Sequence, residues 1–127
     1  MINSKHTVLI VEDEPSIRDA IVIKLTRKGF TVLEAKNGQE GLDIALQKHP
    51  DLILLDVIMP IMDGLTVIKK LKEDEWGKTV PVLLLTNLSD PEAVSKSIKI
   101  DRSDFLIKSN WTLEEVVEKI NQKLKTV

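Results

Sequence analysis

The chain has 127 residues, 18 of them basic and 20 acidic, for a formal net charge of −2. That length is one domain able to bury its own core, and the absence of cysteine excludes disulfides and thiolate metal sites. The charge balance gives no electrostatic case for nucleic-acid binding. The few aromatics (Phe30, Trp76, Phe105 and Trp111) form no base-stacking platform, no apolar run is long enough to span a bilayer, and no apolar leader opens the chain. The cytoplasm is therefore the expected compartment.

Taken in chain order, the first element is a strand over 7–12, whose apolar run from Val8 to Val11 leads straight into Glu12 and Asp13. Pro15 suits the first turn of a helix over 15–28, with Ile17, Ala20, Ile21 and Leu25 at helical spacing and Gly29 as its C′ residue. A second strand covers 31–35. Asn37 and Glu40 have capping-box spacing for a helix to about 47, which His49 and Pro50 stop. A short apolar strand over 52–56 ends on Asp56. The loop 57–63 follows, with Met59 and Met62 as packing residues, and Gly64 opens a helix to 73. After a turn at 76–79 come a strand over 82–86, a fourth helix from Asp90 and Pro91 to about 100, and a fifth strand over 104–107. Thr112 and Glu115 form a capping box for the last helix, to about 124. His6 and His49 are expected to be solvated.

Strand and helix alternate through five units, which predicts a parallel sheet with helices on both faces and right-handed crossovers. No repeat, linker or low-complexity stretch divides the chain, so 1–127 reads as a single domain. Ligands of open α/β sheets bind beyond the carboxyl ends of the strands. The first strand delivers Glu12 and Asp13 there, the third Asp56, the fourth Thr86 and the fifth Lys108. The second ends without a candidate, so if it lies at an edge the other four converge on one crevice. Carboxylates on two strand ends point to a hard-cation site, because unneutralised they repel.

Five stretches together resemble the receiver domain of bacterial two-component response regulators: 8–15 (VLIVEDEP), 50–60 (PDLILLDVIMP), 62–64 (MDG), 82–86 (VLLLT) and 104–108 (DFLIK). The resemblance covers nearly the whole chain and implies an α/β, flavodoxin-like (βα)5 doubly wound parallel sheet of strand order 2-1-3-4-5; a member of this family is itself a standard example of that order. It implies that Asp56 is the phosphoacceptor, taking a phosphoryl group from a sensor histidine kinase or phosphotransfer protein. By the same resemblance, Asp13 and Asp56 ligate Mg²⁺ (or Mn²⁺) directly, Glu12 acts through a bound water, and the carbonyl of Ile58 is a further ligand. Lys108 and Thr86 would hold phosphoryl oxygens. Thr86 and Phe105 would act as the switch, altering the fourth helix, the fifth strand and the fifth helix and so the binding of a downstream protein. The family docks its first helix on the kinase, which places Pro15, Arg18, Asp19 and Val22 on the docking face, Val22 as an exposed apolar anchor.

The domain is expected to catalyse only its own phosphorylation and dephosphorylation, to bind neither nucleic acid directly nor membrane, and to be a monomer or a weak phosphorylation-dependent dimer. It departs from the family at Ser109, where proline usually follows the lysine. Bulky, apolar Ile58 and Leu88, each two residues beyond a site residue, are expected to hinder an attacking water. One alternative is a Mg²⁺-dependent aspartyl-phosphate phosphohydrolase. Those enzymes carry a second aspartate two residues after the nucleophile, where this chain has Ile58. The other alternative is a receiver-like scaffold that is never phosphorylated.

Overall fold

The computed structural model describes residues 6–57, 59–86, 105–107 and 112–125. Five strands, β1 (Thr7–Val11), β2 (Thr31–Ala35), β3 (Leu52–Asp56), β4 (Val82–Thr86) and β5 (Phe105–Ile107), form one sheet in the order β2-β1-β3-β4-β5. Every neighbouring pair is parallel. The described helices are α1 (Pro15–Arg27), α2 (Gly38–Lys48), α3 (Gly64–Lys72) and, last in the chain, α4 (Leu113–Lys125). The fourth helix expected over 90–100 lies outside the described residues. This is the flavodoxin-like arrangement.

The unbroken apolar runs are explained by burial on both faces of the sheet. Alternate residues Leu9, Val11, Ile53, Leu55 and Leu84 pack with Leu42 and Ala45 of α2 and Val67, Ile68 and Leu71 of α3. Their neighbours Val8, Ile10, Leu52, Leu54, Leu83 and Leu85 pack on the opposite face with Ile21 and Leu25 of α1 and Val116, Val117 and Ile120 of α4. Asp56 and Glu12 are the buried polar residues among those described.

Local chemistry sets the element ends. Pro15 opens α1 and Gly29 follows its end at φ 95°, the left-handed C′ position the sequence predicts. At α2 the Asn37 side chain accepts from the Glu40 N–H at 2.8 Å, but Glu40 reaches back to the N–H of Lys36 rather than of Asn37, at 3.0 Å. The box thus closes one residue early. His49 ends α2 at φ 48° and its ring stacks on Trp76 with centroids 4.3 Å apart, so it is exposed on one side and covered on the other. The Thr112–Glu115 box is complete: the Glu115 carboxylate accepts from the Thr112 N–H at 2.8 Å and the Thr112 hydroxyl from the Glu115 N–H at 3.2 Å. Thr112→Ala is expected to cost about 1 kcal/mol, read as a lower midpoint in urea denaturation with an unchanged slope.

Helix α4 is also tied to α1 by an ion pair between Lys24 and Glu114. The Lys24 hydrogen bond, and then its charge, hold the Glu114 carboxyl below its ordinary value of 4.5. A carboxyl lowered on folding adds stability that is whole above its unfolded pKa and lost as pH falls through the folded one. Melting curves of wild type and Lys24→Met should therefore differ near neutrality and converge in acid. The difference is small, because the carboxylate is on the surface.

Candidate functional site

From the carboxyl end of β1 the chain crosses outward to β2, and from that of β3 it crosses the other way to β4. The crevice between β1 and β3 is thus the switch point at which open α/β sheets bind ligands. Val11 pairs with Leu55, so Glu12 and Asp56 sit side by side one step further on. Asp13 follows at the mouth. Carboxylate oxygens of Glu12, Asp13 and Asp56 all lie within 4.8 Å of one another; Glu12 and Asp56 are 0% and 3% exposed, and Asp13 faces solvent. The sequence-predicted acidic cluster therefore exists as a cluster. An all-oxygen set with one open side suits a hard divalent cation such as Mg²⁺, unlike the nitrogen- and sulfur-rich sets of zinc.

Glu12 is fixed from several directions. Its backbone N–H donates to the Ala35 carbonyl at 3.0 Å, and its carboxylate accepts from the Glu14 N–H at 3.1 Å. Arg18 donates to its backbone carbonyl at 2.8 Å while also pairing with Glu34 at 3.5 Å. Arg18 thereby braces the turn that carries Glu12 and Asp13. No sequence motif signals this, because the contact joins a side chain to a carbonyl six residues away. Val22 is also corrected: it is half-buried against the α1–α4 core, since α1 is covered by α4 as well as by the sheet. Pro15 and Asp19 remain exposed on α1, and its open apolar side chain is Ile23.

The loop after Asp56 is held by close backbone contacts. The Val57 N–H donates to the Leu85 carbonyl at 3.1 Å, and the Gly64 N–H to the Val57 carbonyl at 2.7 Å. Gly64 sits so tightly that a Cβ there would collide with the Asp56 carbonyl oxygen and lie 2.8 Å from Val57 Cα. Gly38 is pressed in the same way on the Met62 carbonyl. Met59 is buried and Met62 packs beside it, as the sequence predicts. Between them the Met62 N–H donates to the Pro60 carbonyl at 2.7 Å, a γ-turn centred on Ile61 at φ 71°. This is the rarer, strained form of that turn. A left-handed backbone costs an L-residue roughly 1–2 kcal/mol, and Ile61 is β-branched.

Thr86 ends β4 opposite Ile107, and Phe105 pairs with Leu84, so the backbone brings both to the carboxyl half of the sheet. Their side chains lie outside the described residues, as do Ile58, Leu88, Lys108 and Ser109.

A five-stranded parallel α/β domain with an acidic cluster at its switch point defines a class of regulatory and enzymatic folds, and comparison narrows it. The model of the response regulator receiver domain matches residues 8–121. The chain is 35% identical over 118 residues to the DNA-binding dual master transcriptional regulator RpaA of Synechocystis sp., covering 93% of this chain and 48% of that protein. It is 31% identical over 119 residues to the phosphate regulon transcriptional regulatory protein PhoB of Pseudomonas aeruginosa, covering 94% and 52%. It thus spans about half the length of these curated relatives. Among solved structures, the receiver domain of Francisella response regulator 1452 superposes with a TM-score of 0.86 at 26% identity, covering 96% of this chain and 98% of that one. The chemotaxis response regulator CheY4 of Vibrio cholerae gives 0.83 at 28%, covering 93% and 98%. The chain belongs to the response regulator receiver domain family and is a receiver domain of two-component signalling. Among the described residues no helix is long and apolar enough to cross a membrane.

Proposed function

We propose that the chain is a phosphorylation-controlled switch in which Asp56 accepts a phosphoryl group from a sensor histidine kinase or phosphotransfer protein. The observation that carries this reading is the convergence of the Glu12, Asp13 and Asp56 carboxylates at the switch point of a receiver fold. An Asp56 carboxylate oxygen attacks phosphorus; the new O–P bond forms as the N–P bond of the phosphohistidine breaks, and the electron pair leaves on the imidazole nitrogen, which takes up a proton. Asp13, Asp56, Glu12 and the Ile58 carbonyl would hold Mg²⁺ (or Mn²⁺), which when bound neutralises the charge that opposes attack of one anion on another. Lys108 and Thr86 would bind phosphoryl oxygens, and Thr86 and Phe105 would pass the change to the segment before β5 and to α4.

In this reading the domain turns over no substrate other than its own phosphoryl group and spans 1–127 as one unit. It works in the cytoplasm as a monomer or weak phosphorylation-dependent dimer. Its near-neutral charge favours a protein as the downstream partner over direct DNA contact. The test is intact mass after incubation with acetyl phosphate, with and without Mg²⁺. One added phosphoryl group is expected on wild type with Mg²⁺ and none on Asp56→Asn; no adduct on wild type would refute the reading.

A further inference from the structure

We propose that Arg18 is a positioning residue for the cation: by holding the Glu12 carbonyl, and being held in turn by Glu34, it presets the acidic turn for a divalent ion. The inference rests on the cation reading of the Glu12, Asp13 and Asp56 cluster. Val11 and Ala35 are the last register pair of β1 and β2, and the Glu12 N–H makes the closing bond, to the Ala35 carbonyl at 3.0 Å. The Glu12 carbonyl lies past that end. Arg18 reaches back six residues from the start of α1 and donates to it at 2.8 Å. That carbonyl belongs to the rigid peptide plane that joins Glu12 to Asp13, so fixing it fixes the direction in which both side chains leave the turn. Glu12 is buried and its carboxylate also accepts from the Glu14 N–H. Asp13 is exposed, so core packing does not aim it and the backbone has to. The charges sharpen the inference. A guanidinium is always charged, and through space it opposes a divalent cation nearby. Here the Arg18 side chain is 17% exposed, and its Nε lies 3.5 Å from the Glu34 carboxylate on the edge strand β2. Glu34 thus offsets the charge of the brace while anchoring it. Arginine suits both tasks at once, because its fork serves a carbonyl through Nη1 and a carboxylate through Nε. Positioning and bare charge therefore predict opposite signs when Arg18 is removed.

The experiment titrates Mg²⁺ calorimetrically into the full chain and into its Arg18→Met, Arg18→Lys and Glu34→Gln variants, and melts each protein in EDTA and in saturating Mg²⁺. Arg18→Met should weaken Mg²⁺ binding about tenfold, as loss of a group that orients metal ligands does. Arg18→Lys, which keeps the charge but not the fork, should restore part of that loss. Glu34→Gln alone should weaken binding, and adding it to Arg18→Met should cost almost nothing more, since the two act as one unit. The melting gap between wild type and Arg18→Met should be wider in Mg²⁺ than in EDTA, because the variant gains less from the ion. Unchanged or tighter Mg²⁺ binding by Arg18→Met would overturn the proposal and leave Arg18 a bystander or a nearby charge. An equal melting gap in EDTA and Mg²⁺ would overturn it too, because the brace would then serve the fold alone. The milder Arg18→Lys and Glu34→Gln variants read the same quantities where Arg18→Met folds poorly. Failure of the wild type to bind Mg²⁺ would instead strike the cation reading of the cluster.

Discussion

Gly64→Ala is expected to destabilise the domain by about 3 kcal/mol, at the upper end of what overpacking costs. The new methyl would be driven into the Asp56 carbonyl oxygen and to 2.8 Å from Val57 Cα, both of them backbone and neither free to swing away. The small gain from placing alanine in a helix does not offset that. The same substitution at Gly41 is a fair comparison. There the methyl meets the side chain of Val11, at 2.7 and 2.8 Å, and a side chain yields more readily than a strand's backbone. Urea midpoints should fall much further for Gly64→Ala than for Gly41→Ala. Because the obstruction is the residue proposed to carry the phosphoryl group, labelling by acetyl phosphate should slow as well. A Gly64→Ala domain as stable as wild type would mean that α3 does not fix Asp56.

The second large effect is that of the cation. A ligand that binds only the folded state stabilises it by RT ln(1 + [L]/Kd), about 1.4 kcal/mol at ten times Kd. For a domain of this size that is a rise in Tm of about 5 °C. Wild type should show such a rise with Mg²⁺, and Asp13→Asn and Asp56→Asn should each lose most of it. Without divalent cation the order is expected to reverse: Asp13→Asn removes one of three carboxylates held within 4.8 Å and should melt above wild type. Equal Mg²⁺ responses in all three proteins would argue against a cation at this cluster.

Most of the framework that positions the site is legible in the sequence because it depends on near-neighbour patterns. The strand 52–56 is buried throughout and is β3, and Asp56 stands where its apolar run, 52–55, stops. Gly29 and the Thr112–Glu115 box act at their own helix ends and need no knowledge of the rest of the chain. What escapes is tertiary. Val22 lies off the α1 stripe read in the sequence, yet it packs against a core cluster that includes α4 residues nearly a hundred positions later. Arg18 carries no mark that it will hold the Glu12 carbonyl. The turn at Ile61 breaks the composition rules for left-handed backbone, since neither glycine nor asparagine announces it. Two close glycine contacts flank it, one of which, from Gly38, comes from another helix. The Glu40 side chain shows the same limit on a small scale: capping-box spacing finds the residue, but the loop's path decides that Lys36 receives it.

The central claim is that Asp56 itself is chemically modified, with the acids beside it as accessories. The most direct measurement is to incubate the chain with acetyl phosphate and Mg²⁺, reduce it with borohydride, which converts an aspartyl phosphate to homoserine, and sequence the peptides by mass spectrometry. The account predicts homoserine at position 56 only, dependent on both acetyl phosphate and Mg²⁺. Homoserine at position 13, or none anywhere, would contradict it.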